Sequence, residues 1–264
     1  MRHQLSLAAM AVFVSAFAPS TVAAQADSAS APAFSVSAEM PLVSRYIWRG
    51  FDLSRKTASL QPYVALGMPL GFTASAWATS GLDSHRQVDE VDFTLDYTHE
   101  LGGWALGAGY LHYVLTGTLR EPSADLLNPH ATTTCGEVFV TLARNWDDGS
   151  ATVKYSRGNR SMKGNSVNLR VEQTLASADE KWGASPYFSV DWLDQFGVPA
   201  AFADRLTMIQ VGVPITRTLG PVTLLAAVHV SFVPSSWMRG LNAETGADNH
   251  IAVPWFSVGV RFEP

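Results

Sequence analysis

EVDFTLDYTHELGGWALGAGYLHYVL, residues 90–115, alternates along its first half, with Val91, Phe93, Leu95 and Tyr97 on one face and Asp92, Thr94, Asp96 and Thr98 on the other. A period of two is the side-chain period of a strand, because successive Cβ atoms point to opposite faces of a sheet. Leu101, Gly102 and Gly103 interrupt the pattern, and a second apolar segment starts at Trp104. The stretch predicts two antiparallel strands joined by a tight turn.

The same pattern extends outward in both directions. About twelve segments alternate in this way, from FSVSAEMPLVSRYIW at the start to IAVPWFSVGVRF at the end. Connections after the even segments are mostly short: PL, LGG, DDGS, ASADEKWGA and LGP. Those after the odd segments are mostly longer and polar: RGFDLSRKTA, GLDSHRQVD, TGTLREPSADLLNPHATTTCG, NRSMKGN, QFGVPAAFADR and PSSWMRGLNAETGADNH. Short turns at one end and long loops at the other, with an even strand count, match a transmembrane barrel.

Composition narrows the class. The 264 residues are 47% hydrophobic and only 16% charged, where a soluble domain carries roughly 25% charged residues. A formal net charge of -5 offers no basic footprint for nucleic acid. Cys135 is the single cysteine, which excludes an intrachain disulfide and a cysteine-rich metal site.

The N-terminus reads as a secretory leader. Arg2 precedes an apolar run over residues 5–18, and small residues lead to a cut after Ala24 with Val22 at the minus-three position. Pro19, Ser20 and Thr21 end that run short of the roughly 18–20 apolar residues a spanning helix needs. The expected organisation is a signal peptide over 1–24, a small, polar, disordered lead-in over 25–32, and a barrel over 33–264. Past the leader, the longest apolar run, VTLLAAVHVSFV, is too short for a membrane helix and contains His229. A membrane location would then require a closed barrel, since only helices and barrels satisfy their backbone groups in lipid.

Alternation defines two faces without saying which one is inside. Val167, Leu169 and Val171 oppose Asn168, Arg170 and Glu172; Phe256, Val258, Val260 and Phe262 oppose Trp255, Ser257, Gly259 and Arg261. A soluble lipocalin-like barrel or sandwich would turn the apolar face inward; a membrane barrel turns it outward. Aromatics at segment ends favour the membrane, where such rings form interfacial girdles. The girdle residues expected are Tyr46, Trp48, Tyr97, Trp104, Tyr110, Trp146 and Trp192. In SRYIWRGFDLS, residues 44–54, the rings would then mark the outer interface while Arg45 and Arg49 point into the lumen.

SRYIWRGFDLS, QPYVALG, ASAWATSGLD, DEVDFTLDYTHEL and GAGYLHYVL resemble the bacterial outer-membrane family labelled Gcw-chp, also described as TorF-family porins. The resemblance covers most of the mature chain and implies an outer-membrane β-barrel with a pore role. It supplies no catalytic or ligand residues. Ser257, Gly259 and Phe262 also resemble the C-terminal signal read by the barrel-assembly machinery, although Glu263 and Pro264 follow where an aromatic normally ends the pattern.

Alternation places Glu39, Arg45, Arg49, Asp92, Asp96, Glu137, Lys154, Arg170, Glu172, Asp191, His229 and Arg261 on the inner wall. Mixed charge admits two readings: an aqueous path whose charges select solutes, or a lattice of ion pairs that closes the interior. About twelve strands lie between filled eight-stranded barrels and open sixteen-stranded porins.

A membrane-embedded hydrolase would need a serine beside a histidine and an orienting group. His112 and His229 lie within strands but in no nucleophile motif, so no enzyme activity and no cofactor are expected. The acidic DSHRQVDEVD carries no calcium-loop spacing, and no metal is expected. The sequence predicts an all-β, up-and-down, antiparallel transmembrane barrel in the bacterial outer membrane, conducting small solutes or ions. Lipid and lipopolysaccharide are its expected surroundings, and a closed structural or surface-interaction barrel is the alternative.

Overall fold

The computed structural model describes residues 34–82, 90–115, 134–159, 163–177, 179–194, 205–244 and 246–264. The expected leader and lead-in lie outside these residues. Twelve antiparallel strands close into a barrel. They are β1 (Ser35–Val43), β2 (Ser59–Leu60 continued by Tyr63–Gly67), β3 (Phe72–Gly81), β4 (Glu90–Leu101), β5 (Trp104–Leu115) and β6 (Thr134–Trp146). The second half comprises β7 (Gly149–Asn159), β8 (Gly164–Gln173 with Leu175–Ala176), β9 (Trp182–Ala184 with Tyr187–Asp194), β10 (Leu206–Leu219), β11 (Val222–Phe232) and β12 (Ala252–Phe262). Each strand pairs with the next, and β1 closes the ring on β12 from Ala38↔Phe262 to Val43↔Ser257. Closure leaves no open edge in the ring, which is how such a sheet avoids unpaired backbone groups.

Register follows the alternation. One face of every strand carries apolar side chains that remain exposed, among them Phe93, Leu95, Val138, Val140, Val213, Phe256, Val258 and Val260. Their neighbours on the opposite face are buried: Glu39, Glu90, Glu137, Lys154, Asp191, His229 and Arg261. The barrel is thus apolar outside and polar inside, the inverse of a soluble barrel.

Two elements depart from the expected layout. The first predicted segment runs through Trp48, yet β1 stops at Val43; Ser44 makes the last exchange with β12, its N–H donating to the Phe256 carbonyl and its hydroxyl accepting from the Phe256 N–H. Ile47–Trp48 then pairs with Phe51–Asp52 as a small separate hairpin. The connection after β11 contains a helix, α1 (Ser236–Glu244). A smaller difference concerns the eighth connection: Leu175–Ala176 pairs with Trp182–Ala184, so the hairpin between β8 and β9 is longer and its turn shorter than predicted.

Candidate functional site: the plugged interior

The first loop enters the barrel because its side chains are apolar on one side and ionic on the other. Tyr46 and Trp48, expected in the outer girdle, are instead 4% and 9% exposed inside, packed with Trp77, Tyr113, Leu193 and Met238. This corrects the girdle assignment: with β1 ended at Val43, these rings belong to a loop rather than to a lipid-facing strand. Burial against other rings removes more apolar surface from water than a solvated loop tip could. Tyr46 lies 5.3 Å from Trp77 between ring centroids, and its hydroxyl donates to Glu90 Oε2 at 3.1 Å.

Arg45 and Arg49 both belong to the inserted loop, which corrects their expected place on the inner wall. Arg49 reaches across the interior to Glu137 on β6, donating through Nη2 to Oε1 and Oε2 at 3.1 and 2.9 Å. Lys154 on β7 lies 3.5 Å from the same carboxylate, and Ser156 donates to it at 3.1 Å. Lys154 also lies 4.0 Å from the Phe139 ring centroid, and the Arg49 guanidinium stacks on Trp48. Glu137 is 0% exposed and holds two cations at once.

A second clasp joins loop and helix. Asn242 of α1 donates to the Gly50 carbonyl at 2.9 Å and accepts from the Asp52 N–H at 3.1 Å. Gly50, at a φ of 95°, passes so close to the start of β10 that an added Cβ would lie 2.6 Å from the Thr207 carbonyl oxygen. Only glycine combines that backbone conformation with that approach. Met238, fully buried, fills the space beside it. Nearer the rim, Asp248 bridges Lys56 at 2.9 Å and Arg45 at 2.6 Å, and Arg45 also pairs with Asp52. The hydrogen bond from Lys56, with that from Arg45, holds the Asp248 carboxyl below the usual carboxylate range.

The wall itself is also cross-linked. Arg261 on β12 meets Glu39 on β1 at 2.6 Å, across the closing seam. Arg170 pairs with Glu172 at 2.6 Å and lies 3.7 Å from the Tyr187 ring centroid. Tyr187 bonds Gln210 and His229 Nδ1, each at 2.9 Å, while the His229 ring stacks on Trp255 at 3.8 Å. Gln210 and Trp255 both donate to Ser231. Asn168 donates to Asp191 at 3.0 Å.

Toward the short turns, inward Thr73, Ser75, Asp96, Thr98, Thr141, Thr152 and Arg170 retain partial exposure, whereas inward Ala105, Ala143, Ser150, Glu172, Leu225 and Arg261 are buried. Toward the long loops, inward Thr79, Glu90, Tyr113, Glu137, Ser156 and Met208 are all buried. Partial exposure on the inner wall thus gathers toward the short turns, on β3, β4, β6, β7 and β8, while the plug fills the long-loop end of the described interior.

Alternation brought most of the expected wall residues to the inside: Asp92, Asp96, Lys154, Arg170, Glu172, Asp191, His229 and Arg261 all face inward. Tyr97, Trp104 and Trp192 lie exposed on the outer face near strand ends. In β12, Ser257 faces inward, Gly259 packs against Pro41, and Phe262 is exposed outside. The residues that build the plug's clasp, Asp52, Met238, Asn242 and Asp248, lie in loops where no alternation could single them out. The apolar spacing of Trp237, Met238 and Leu241 was the one available hint of an inward helix.

A family model described as "Bacterial protein of unknown function (Gcw_chp)" matches residues 25–212. No curated protein matches. Among solved structures, the NanC porin is similar at 10% identity and a TM-score of 0.56, covering 87% of this chain and 100% of that one. The KdgM porin in complex with disordered oligogalacturonate is similar at 10% identity and 0.52, covering 86% and 98%. LpxR from Salmonella typhimurium is similar at 8% identity and 0.50, covering 86% and 99%. Likeness at such identities is one of fold.

Proposed function

Since this chain belongs to the Gcw_chp family of bacterial proteins and folds as a porin-like barrel, we propose that it is an outer-membrane channel for small solutes, held shut by its own first loop and α1. The observation that carries this reading is the insert itself: partly exposed threonines on the inner wall lead up to a plug that is not part of the wall. A barrel whose strands alone filled the interior would need no such insert.

The charges indicate which solutes would pass. Among the described residues, each inward cation faces a carboxylate: Arg49 and Lys154 face Glu137, Arg170 faces Glu172, and Arg261 faces Glu39. An acidic polymer such as the oligogalacturonate held by the KdgM porin would find no uncompensated basic track. Neutral or cationic hydrophilic solutes fit the path better, since inward Asp92, Asp96 and Asp191 form no ion pair among the described residues. Planar-bilayer recording tests this: small discrete openings with a mild preference for cations support it, and silence even after the plug is loosened would support a structural barrel instead. That second reading is favoured by one feature, the buried Arg49–Glu137–Lys154 cluster, which rigidifies as well as closes. No catalytic role is assigned. His229, the strand histidine weighed for hydrolysis, has Nδ1 on a tyrosine hydroxyl and its ring against Trp255.

Placement in the membrane rests on the outer face. A continuous exposed band of Val, Leu, Ile and Phe is what hydrocarbon requires and water opposes. Val140→Arg, at the middle of that band, should cost about 2–4 kcal/mol of insertion free energy, whereas the same change close to a strand end should cost about 0–1. Equilibrium folding into vesicles measures the difference; equal effects at both depths would contradict a lipid-facing band.

A further inference from the structure

Near the short turns, the outer face of the described strands carries two arginines where an apolar residue belongs. Arg144 on β6 lies between Leu142 and Trp146, and Arg217 on β10 lies between Ile215 and Leu219, all of them on the outward face. Each arginine stands directly opposite an exposed tryptophan of the adjoining strand, in the pairs Arg144↔Trp104 and Arg217↔Trp182. The guanidinium carbons lie 5.4 and 5.0 Å from the ring centroids. Both pairs sit within a few residues of short turns, and they are separated around the barrel by β7 and β8.

Neither arginine forms an ion pair among the described residues. Arg144 donates once, through Nη1 to the Gly102 carbonyl at 2.8 Å, and Gly103, where a Cβ would meet that same Nη1 at 2.6 Å, lets it lie flat against the turn. The rest of its fork is free to point outward, as is that of Arg217. A lipid-facing arginine is costly at mid-bilayer and nearly free at headgroup depth. The indole beside each one, apolar in body and polar at one edge, marks that same depth. A planar guanidinium held there by a ring presents paired donors to a tetrahedral anion, the geometry that favours phosphate.

We propose that Arg144–Trp104 and Arg217–Trp182 are two binding sites for the phosphodiester of membrane glycerophospholipids. This rests on the outer-membrane reading, in which the short turns face the periplasm and the adjoining leaflet supplies phospholipid. The two sites anchor the end of the barrel opposite the plug and fix its depth.

Native mass spectrometry of the barrel refolded in maltoside micelles tests this with phosphatidylglycerol as the probe. The expected result is retention of two lipids per barrel, with apparent affinity about tenfold weaker for each arginine lost in Arg144→Gln and Arg217→Gln, as for the loss of a charged hydrogen-bond pair. Diacylglycerol, which lacks the phosphate, and inorganic phosphate, which lacks the chains, should each be retained poorly. Arg157→Gln, at the other end of the barrel, should leave retention unchanged. Unboiled gel migration confirms that each variant is folded. Equal phosphatidylglycerol retention in the double variant, equal retention of diacylglycerol, or preference for lipid A would overturn the assignment. Failure here with the Val140→Arg depth effect intact would remove the lipid sites alone and leave the membrane barrel standing.

Discussion

Replacing Glu137 by alanine is expected to destabilise the folded barrel by roughly 3–5 kcal/mol, the cost of leaving buried charge without its partner. Two cations depend on this carboxylate, Arg49 at 2.9 Å and Lys154 at 3.5 Å, and it is fully buried. Removing it leaves both in an interior with little water to solvate them. Arg49 belongs to the loop, so the loss acts on loop and wall together. The check is urea titration in vesicles, followed by tryptophan fluorescence and by the mobility of unboiled protein. Converting all three residues together, Arg49→Met, Glu137→Leu and Lys154→Met, should recover most of the loss, because a well-packed apolar substitute often equals or exceeds a buried ion pair. A small effect of Glu137→Ala alone would mean that water already reaches the cluster and that the plug does not seal.

The second large effect is on conductance. Asn242 makes two hydrogen bonds to loop backbone, to the Gly50 carbonyl and from the Asp52 N–H, and Met238 fills the space beneath. Asn242→Ala with Met238→Ala should remove about 3–6 kcal/mol of docking free energy, combining two lost hydrogen bonds with a buried cavity. That shift raises the open population by two or more powers of ten. A wild-type barrel that is almost silent in planar bilayers should therefore show frequent openings in the variant, while its unfolding midpoint falls less than that of Glu137→Ala. The wall is untouched by these changes, since both side chains come from α1.

These two predictions depend on parts of the molecule that differ in how well the sequence discloses them. The barrel was legible because period two is a local property: Val91 to Thr98 shows two faces without reference to any other strand. Strand number and the end bearing the long loops followed from counting. The inward position of Asp96, Lys154 or Arg261 followed from the same parity. The plug was not legible, because its residues are specified by partners far away in sequence. Arg49 and Glu137 lie 88 positions apart, and Asn242 and Gly50 lie 192 apart. Tyr46 and Trp48 continue the alternation of β1 so well that they read as strand residues; what ends the strand is tertiary, the pull of the Trp77 and Tyr113 rings and of Glu90 on a loop that could otherwise have stayed in water. Mixed charge in the lumen left an open path and an ion-pair lattice both consistent with the residues, because parity places a charge on the inner wall without saying what it faces.

The account turns on a lumen that admits water from one end only, and thiol labelling measures this directly. In a Cys135→Ser background, a cysteine is introduced at Thr141, inward and partly exposed in the short-turn half, or at Ser156, inward and 0% exposed beside Glu137. Each protein is folded into vesicles and treated with a small charged maleimide from one side at a time. Rapid labelling of Thr141→Cys from the short-turn side alone, with Ser156→Cys unreactive from both sides, is the predicted result. Comparable labelling of both positions from both sides would show an open pore and contradict the plug.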